Sequence, residues 1–390
     1  MHSCPVCSSS DVEIFFEMND IPVHCNVLLA TREEAVNAPR GDMKLGFCRS
    51  CGHIYNAAFK PALMVYTQAY ENSLHFSPRF QQFAEELARG LISRYDLHGK
   101  DIIELGCGKG DFLKLMCDLG ENRGYGFDAS YEPELMNENA TQERFTVIQD
   151  FYSPKYSAYN ADFVCCRHVL EHIEFPNEFV DNVRLAIGSR MNAVIYFEVP
   201  NALWTLQDLG IWDLIYEHCS YFTANSLSRL FSLHGFEVKR LDEHFHQQFL
   251  GIELVPKNSD PSNWKSGLTI NDVAKYVAEF AENYRTKVEA WKKQFERLKS
   301  EGKRSIVWGG GSKGITFLNV MKQHADIDYM VDLNPRKQGM YVSGSGQKII
   351  SPEFLKDYQP DAVIIMNPIY TDEIRRMLSD LGIQPELIPA

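Results

Sequence analysis

The sequence predicts an α/β protein with a doubly wound parallel sheet in the middle of the chain, a small zinc module before it and a Rossmann-like α/β domain after it. Three features carry this prediction. Two Cys-x-x-Cys pairs lie near the N-terminus, strand and helix patterns alternate through the middle of the chain, and a second unit of strand, glycine turn and helix follows a long helix. Alternating strands and helices are typical of a parallel sheet with helices on both faces. We expect the three parts to span residues 1–65, 66–265 and 266–390.

Length and charge exclude several classes of protein. The chain has 390 residues, enough for two or three domains at about 150 residues each. Its net charge of −13, without long runs of lysine or arginine, argues against a general nucleic-acid or membrane-surface binder. No stretch reaches the roughly 18 apolar residues of a membrane span, and the N-terminus does not read as a signal peptide. We therefore expect a cytoplasmic protein whose ten cysteines are reduced.

Four cysteines form two Cys-x-x-Cys pairs near the N-terminus. They are Cys4, Cys7, Cys48 and Cys51. Two such pairs can supply the four thiolates of a closed, structural zinc site, which leaves no open position for catalysis. Zinc would stabilise residues 1–65, since so small a segment has little core of its own. A pair of redox motifs is the alternative, and His24, Cys25 and His53 are further candidate ligands that lack the paired spacing.

A strand, a glycine-rich turn and a helix begin the central region. The turn reads Glu-x-Gly-x-Gly-x-Gly, between an apolar strand at 101–105 and a helix that starts near residue 111. Glycines let a ligand approach the backbone, and the helix N-terminus presents free N–H groups. A dinucleotide turn would read Gly-x-Gly-x-x-Gly, so the spacing favours another nucleotide ligand. The turn residues that we assign to cofactor binding are Glu104, Gly106, Gly108 and Gly110.

Polar and aromatic residues follow the next strands of the central region. Asp128 ends the second strand, where a carboxylate can hold the two hydroxyls of a ribose. Asp150 and Phe151 end the third and offer an acceptor for an exocyclic amine and a ring that stacks on adenine. The fourth strand leads into Arg167 and His168. Ligands of open α/β sheets bind beyond the carboxyl ends of the strands, so we assign these residues to the same cofactor site.

This ordered series resembles the class I S-adenosylmethionine-dependent methyltransferases. The resemblance runs from the strand at 101–105 to the strand at 193–200 and includes the expected motifs in order. It implies that S-adenosylmethionine is the cofactor and that the sheet is a class I methyltransferase sheet. A plain dinucleotide-binding domain is the alternative.

An acid, a histidine and several aromatic residues crowd together beyond the fifth strand. Residues 216–222 read Tyr-Glu-His-Cys-Ser-Tyr-Phe. His218 is the best candidate for a general base, because imidazole is neutral near pH 7, and Glu217 can orient it. The alternative is that His218 fills a core beside Tyr216 and Tyr221.

Together, the cysteine pairs, the methyltransferase motifs and the Glu-His-x-x-Tyr-Phe segment resemble the sugar C-methyltransferases that methylate carbon 3 of nucleotide-linked 4-ketohexoses. The resemblance implies that His218 removes the proton beside the ketone, that the enolate attacks the methyl sulfonium and that Glu217 is the acid beside the base. The family usually reads Tyr-x-Glu-His, but Ile215 holds the tyrosine position here, so Tyr216 or Tyr221 would take that role. The family's His-Gly-Gly-Ser loop is also replaced, by the segment 244–253.

The last third of the chain carries a second glycine turn. A long helix predicted over 270–301 has an apolar stripe that indicates a core or a seam between domains. The turn at 309–314 then reads Gly-x-Gly-x-x-Gly, and Asp332 lies about 20 residues further, which by spacing alone is a dinucleotide fingerprint. The sugar C-methyltransferases have a similar loop that helps to enclose the acceptor, together with an Asp-x-x-Pro-x-Lys-Gln-Gly element that matches residues 332–339.

The predicted function is a C-methyltransferase that acts on a nucleotide-linked 4-keto-deoxysugar. We assign acceptor binding to residues beside the two turns and the insert: Tyr70, Asn201, Gly309, Gly311, Lys313 and Lys337. The expected partners are small molecules, with neither nucleic acid nor membrane, and the sequence does not indicate an oligomeric state. The alternatives are another small-molecule acceptor, an NAD-dependent enzyme that uses the 309–314 loop, and an RNA methyltransferase, which the negative charge opposes.

Overall fold

A computed structural model describes residues 3–64, 70–131, 144–159, 161–257 and 268–390. The strands in these segments form three sheets, of four, seven and five strands. The predicted fold class is confirmed: a methyltransferase-like α/β sheet, a second parallel sheet after it and an antiparallel sheet with the cysteine cluster before it. The two predicted boundaries, at 65/66 and 265/266, lie outside the described residues. Within the described segments, no helix is both long and apolar enough to cross a bilayer.

The N-terminal sheet is an antiparallel hairpin with short additions. Its elements are β1 (Val12–Pro22), α1 (Arg32–Val36), β2 (Arg40–Cys48) and β3 (Ile54–Asn56). Every second residue of β2, namely Met43, Leu45 and Phe47, is buried, as the two-residue period of a strand requires. The Thr31 hydroxyl caps α1 by accepting from the Glu34 N–H, and the Glu34 carboxylate accepts from the Thr31 N–H.

The central sheet is doubly wound. Its first elements are α2 (Pro78–Tyr95), β4 (Asp101–Leu105), α3 (Asp111–Gly120), β5 (Arg123–Phe127), β6 (Phe145–Ile148), β7 (Phe163–Arg167), α4 (Pro176–Ile187) and β8 (Val194–Pro200). β8, β7, β4, β5 and β6 are parallel neighbours in that order. The strand order reverses between β4 and β7, and ligands of such sheets bind beyond the carboxyl ends of the strands at this point.

The insert after β8 completes two sheets at once. Its elements are α5 (Ala202–Gln207), β9 (Ser220–Tyr221), α6 (Ala224–Leu233), β10 (Phe236–His244) and β11 (Phe249–Pro256). β11 and β10 extend the central sheet in antiparallel fashion. β9 pairs with β3 and becomes the fourth strand of the N-terminal sheet. The N-terminal sheet therefore includes residues far beyond 65, and it holds the segment that carries Glu217 and His218.

The C-terminal region is a five-stranded parallel sheet. Its elements are α7 (Ile270–Ser300), β12 (Ser305–Trp308), α8 (Ser312–Val320), β13 (Tyr329–Val331), β14 (Lys348–Ile350), α9 (Leu355–Tyr358), β15 (Ala362–Ile365), α10 (Thr371–Asp380) and β16 (Glu386–Pro389). The order β14-β13-β12-β15-β16 places a second reversal between β12 and β15. The glycine turn at 309–314 follows β12 directly, so it lies at this reversal.

The long helix α7 joins the N-terminal and C-terminal sheets. Phe280 meets Phe16 of β1 with 5.2 Å between ring centroids, and Trp291 meets Phe317 of α8 at 4.9 Å. All four residues belong to one buried apolar cluster. The apolar stripe predicted for this helix is therefore a seam between domains.

Candidate active site

The first glycine turn has the geometry expected of a nucleotide loop. Gly106, Gly108 and Gly110 all have left-handed φ values, of 66°, 55° and 81°. A Cβ atom at Gly106 would lie 2.2 Å from a methyl carbon of Val169. The Gly108 N–H donates to Asp128 Oδ2 at 2.8 Å. The structure thus brings the turn and the acid of the next strand together, as their sequence spacing predicts.

Glu104 is an unusual carboxylic acid beneath this turn. Only 4% of its surface is exposed. Burial raises the pKa of Glu104 to about 8, although the positive charge of Arg167 opposes the shift. Its Oε2 atom has no hydrogen-bond partner among the described residues. A buried acceptor without a partner is costly, so this atom is suited to a polar ligand group.

Arg167 and His168 form an ion cluster with Glu198, a residue that the sequence analysis did not single out. The guanidinium of Arg167 donates to Glu198 Oε1 at 2.7 and 3.0 Å and lies 4.2 Å from the ring centre of Phe112. His168 Nε2 lies 3.1 Å from the same oxygen. Burial lowers the pKa of His168, but Glu171 and Glu198 outweigh it and raise the pKa to about 9. Arg167 is therefore turned into the protein, and His168 is charged at neutral pH.

Asp150 and Phe151, the pair predicted to bind adenine, have different surroundings in the structure. Asp150 accepts from the hydroxyl of Tyr156 at 2.5 Å and pairs with Lys155. Phe151 is 71% exposed, which leaves its ring available for stacking. Asp150 would have to share its oxygens between these two partners and a ligand.

Glu217 is the centre of a buried network that links three distant parts of the chain. Its carboxylate is fully buried and accepts from the Cys25 N–H at 2.6 Å and from the Tyr70 hydroxyl at 2.9 Å. His24 Nδ1 lies 3.8 Å from the same carboxylate. Burial raises the pKa of Glu217, but His24 and the other donors outweigh it, so the net shift is downward. Glu217 is therefore a fixed anion.

His218 lies beside this network as a neutral imidazole. Its ring centroid is 4.9 Å from that of His172 and 5.9 Å from that of Tyr221. Burial lowers the pKa of His218 well below its ordinary value, and the positive charges of His168 and Lys313 lower it further. A neutral imidazole can accept a proton, which a general base requires.

The hydroxyls of both predicted catalytic tyrosines form hydrogen bonds to the backbone of the protein. The Tyr216 hydroxyl accepts from the Lys60 N–H at 2.8 Å. The Tyr221 hydroxyl donates to the Ile215 carbonyl at 3.0 Å, although its ring faces His218. The tyrosine whose hydroxyl contacts Glu217 is instead Tyr70, which we had assigned to the acceptor.

His172 and Glu171 were missed by the sequence analysis. His172 Nδ1 lies 3.0 Å from the Glu217 carbonyl oxygen. The segment 167–172 reads Arg-His-Val-Leu-Glu-His, and we used only its first two residues for the cofactor site. The available signal was an acid followed by a second histidine at positions 171 and 172, which lie on a short 3₁₀ turn.

The second glycine turn is braced from within the protein. The Gly310 N–H donates to Asp332 Oδ2 at 2.8 Å, and Lys337 Nζ donates to the Gly310 carbonyl at 3.0 Å. Lys337 is only 5% exposed and also donates to Asn26 at 3.2 Å. Asp332 and Lys337 therefore bind the loop itself, and Lys337 also connects it to the N-terminal region.

A cavity of about 830 Å³ separates the central region from the C-terminal sheet. It lies at the strand reversal between β12 and β15. Its lining includes Trp204, His246, Gln248, Lys313, Asn367 and Arg376. Lys313 pairs with Asp213 at 2.7 Å and lies 5.3 Å from the ring centre of Trp204. Asn201 caps α5 and donates to the Gln247 carbonyl at 2.9 Å, so it is a structural residue at the edge of this region.

The four predicted zinc ligands converge. The sulfur atoms of Cys4 and Cys51 lie 3.6 Å apart, and those of Cys7 and Cys48 lie 3.5 Å apart. All four donor atoms lie within 4.8 Å of one another. Of the other candidate ligands, His53 is fully buried beside Phe222, and its pKa is lowered by burial to about 3.

Comparison with known proteins agrees with this arrangement. A family model described as a methyltransferase domain matches residues 77–241, and one described as a C-methyltransferase C-terminal domain matches residues 266–384. The C-methyltransferase NovU of Streptomyces niveus is 24% identical over 229 residues, 55% of this chain and 53% of that protein. A mitochondrial ubiquinone biosynthesis O-methyltransferase of Dictyostelium discoideum is 26% identical over 117 residues, 26% of this chain and 36% of that protein. The chain therefore spans about half or less of the curated relatives that it matches.

A solved methyltransferase structure resembles part of this chain. Magnesium protoporphyrin IX methyltransferase (ChlM) of Synechocystis PCC 6803, solved with bound S-adenosylhomocysteine, covers 46% of this chain and 84% of its own, at 17% identity and a TM-score of 0.35. We draw no conclusion from a likeness of this extent.

The fold, the glycine turn and the first family model identify residues 77–241 as a methyltransferase domain. The second family model identifies residues 266–384 as a C-methyltransferase C-terminal domain. The resemblance predicted from the sequence is confirmed by these two domains, by the similarity to NovU and by the cysteine cluster.

Proposed function

We propose that this protein transfers a methyl group from S-adenosylmethionine to a carbon beside a ketone, with His218 as the general base. The acceptor that we propose is a nucleotide-linked 4-keto-deoxysugar. One observation carries the proposal: the neutral imidazole of His218 is buried beside the rings of His172 and Tyr221, and the anchored residue Glu217 directly precedes it in the chain.

The residues of the first turn fit the cofactor. The close approach of the Gly106 backbone to Val169 and the unpartnered Glu104 Oε2 leave a cradle with a polar acceptor inside it. Asp128 would hold the ribose hydroxyls, Phe151 would stack on adenine, and Glu104 would accept from the amino group. When bound, S-adenosylmethionine supplies the methyl group as an electrophilic sulfonium.

His218 performs the proton transfer. An imidazole nitrogen takes the proton from the carbon next to the ketone, and the electron pair of that C–H bond becomes the enolate. The enolate carbon would then bond to the methyl carbon while the sulfur–methyl bond of the cofactor breaks, so that S-adenosylhomocysteine leaves with the electron pair on its sulfur. The low pKa that burial gives His218 ensures that the base is neutral before the reaction. Glu217 directly precedes His218 in the chain, and the contacts of its carboxylate with Cys25 and Tyr70 hold this segment in position.

The cavity beside the C-terminal sheet is large enough for the proposed acceptor. Its volume of about 830 Å³ is within the range of sites for whole cofactor-sized ligands. Its lining carries both signs of charge: the basic residues are Arg79, Lys287, Lys313 and Arg376, and the acidic residues are Asp208, Asp372, Glu373 and Asp380. Trp204 and Trp212 offer flat surfaces to a base or a sugar in the same cavity. Lys313 also lowers the pKa of His218, which puts this wall of the cavity within electrostatic reach of the base.

A matched pair of histidine variants tests the base. We expect His218→Asn to lower turnover by about 100-fold or more, because general-base catalysis contributes on this scale, and to leave S-adenosylmethionine affinity unchanged in calorimetry. His98→Asn, at an exposed position, is the control and should behave like the unmodified protein. With a 4-keto-deoxysugar nucleotide in deuterated water, the unmodified protein should exchange the α-proton and His218→Asn should not. Near-normal turnover of His218→Asn would show that another group is the base.

We also propose a structural zinc ion at the four cysteines. Four sulfurs at tetrahedral zinc lie about 3.8 Å apart for bonds of about 2.3 Å, close to the observed 3.5 and 3.6 Å. Zinc held there would stabilise the N-terminal sheet, to which β9 belongs, and so keep the His218 segment in place. Metal analysis of the purified protein should find zinc, and Cys48→Ser should lower the melting temperature.

A further inference from the structure

Three side chains of the active site form a second group of metal-type ligands, apart from the cysteines. They are Glu171, His172 and His218, and one donor atom from each lies within 4.8 Å of the other two. Glu171 and His172 lie on a 3₁₀ turn after β7, and His218 comes from the insert after β8. Two imidazoles and one carboxylate are the ligands of many catalytic zinc sites and of several other first-row metals.

Glu171 has an oxygen that needs a partner. The residue is only 2% exposed, and its Oε2 forms no hydrogen bond to any described residue. The other oxygen, Oε1, lies 3.7 Å from His168 Nδ1. A buried carboxylate oxygen without a partner is costly, so the geometry favours a ligand at this atom.

His172 is held in the form that binds a metal. Its Nδ1 lies 3.0 Å from the carbonyl oxygen of Glu217, and a carbonyl oxygen can only accept. Nδ1 therefore carries the proton, and the lone pair is on Nε2. A hydrogen bond from the second ring nitrogen to a carbonyl is the usual outer contact of histidines that ligate metals.

We propose that Glu171, His172 and His218 bind one divalent transition-metal ion such as Zn²⁺, with a fourth position open, and that the bound ion prevents methyl transfer. The first half follows from the ligand geometry alone. The second half rests on the proposed function, because the lone pair of His218 that would take the proton is the lone pair that would bind the ion. Donors of a tetrahedral zinc ion lie about 3.3 Å apart, so small side-chain movements complete the set.

The charges of the neighbouring groups permit an ion here. The cations His168, Arg167 and Lys313 are balanced by the carboxylates of Glu171, Glu198 and Glu217.

The test is a metal titration of the full protein with its structural site already filled. We expect calorimetry and metal analysis with Zn²⁺ to find one further ion per chain. Glu171→Gln and His172→Gln should each weaken this second binding by about tenfold or more, since even outer contacts of metal sites contribute 10- to 100-fold. Glu178→Gln and His98→Gln, both at exposed positions, should leave it unchanged. Cobalt separates the sites, because only the cysteine site gives thiolate-to-metal charge transfer.

The outcomes separate the two halves of the proposal. Absence of a second ion, or a second ion that both Gln variants bind as tightly as the unmodified protein, would overturn the site and leave these side chains to the acceptor. Zn²⁺ that binds with the expected variant pattern should inhibit turnover at the same concentrations, and a mild chelator should reverse the inhibition. Binding with that pattern but without inhibition would support the site and contradict His218 as the base.

Discussion

The two glycine turns of this protein share one arrangement and differ in what surrounds it. In each, a glycine N–H donates at 2.8 Å to the aspartate that ends the next strand, Gly108 to Asp128 and Gly310 to Asp332. In the first turn, all three motif glycines are left-handed, and Glu104 beneath it has an unpartnered oxygen. In the second, Gly309 has a φ of 121° whereas Gly311 has an extended φ of −89°, and buried Lys337 holds the Gly310 carbonyl.

The difference shows why spacing alone does not identify a dinucleotide site. An aspartate about 20 residues after a glycine turn closes that turn in both domains, whether or not a ligand binds there. The second turn matches the Gly-x-Gly-x-x-Gly fingerprint better than the first, yet its hydrogen-bonding groups bind Asp332, Lys337 and, through Lys337, Asn26. What indicates a cofactor site is the left-handed backbone at all three glycines of the first turn and the unsatisfied acid beside it.

The largest expected effect comes from a methyl group added to the first turn, and the same change in the second turn is its control. A Cβ atom at position 106 would lie 2.2 Å from Val169, and an alanine there would have to adopt a φ of 66°. We expect Gly106→Ala to lower the free energy of unfolding by roughly 2–4 kcal/mol and S-adenosylmethionine affinity by at least about tenfold. Gly311→Ala is the counterpart: it has no atom within 4 Å and should change the free energy of unfolding by no more than about 0.5 kcal/mol. Calorimetry and denaturant unfolding measure both, and equal effects would remove the distinction between the turns.

The next effect tests the brace on the second turn. Lys337→Met removes two donors from a buried position, so we expect the free energy of unfolding to fall by about 2–3 kcal/mol. Affinity for S-adenosylmethionine should not change. Lys322→Met is the control, since Lys322 is exposed and donates to a single carbonyl, of Gly344. If Lys337→Met unfolds like the control but loses acceptor affinity, Lys337 serves the ligand as the sequence first predicted. Neither the unmodified protein nor Lys337→Met should bind NAD(H) in a calorimetric titration.

Sequence reasoning succeeded where the signal is local. The strand, turn and helix around Gly106–Gly110, the α2 helix and the cysteine pairs are each specified by spacing within a few residues, and the structure has them where predicted. The contacts of Glu217 are different in kind. Its partners Cys25 and Tyr70 lie 192 and 147 residues away in the chain. No periodicity connects such distant segments, so the sequence does not predict that Tyr70 donates to Glu217.

A smaller effect concerns pH and the charged groups under the first turn. The pKa of His168 is raised from 6.5 to about 9, so its contribution to stability is complete below about pH 6.5 and is lost as the pH rises through about 9. We expect the free energy of unfolding to fall over this window by an amount on the order of 1–3 kcal/mol. His168→Gln should reduce this fall, while the exposed control His98→Gln should retain it; the pKa of Glu104, raised to about 8, leaves a fall below about pH 8 in both variants. An undiminished fall in His168→Gln would place the titrating group elsewhere.

The smallest effect compares the two aspartates directly. Asp128 accepts from Gly108 and Ser130, and Asp332 accepts from Gly310 and Asn334, so each holds its turn through two backbone N–H groups. Replacing either with asparagine turns one acceptor into a donor that faces an N–H, and we expect each variant to lose about 1 kcal/mol of stability. Only Asp128→Asn should also lose S-adenosylmethionine affinity, by about tenfold, because a carboxylate at that strand end accepts from ribose hydroxyls. The stability loss common to both variants then measures the structural role, and the affinity loss confined to Asp128 measures the ligand's share. Equal affinity in the two variants would mean that the first aspartate, like the second, only closes its turn.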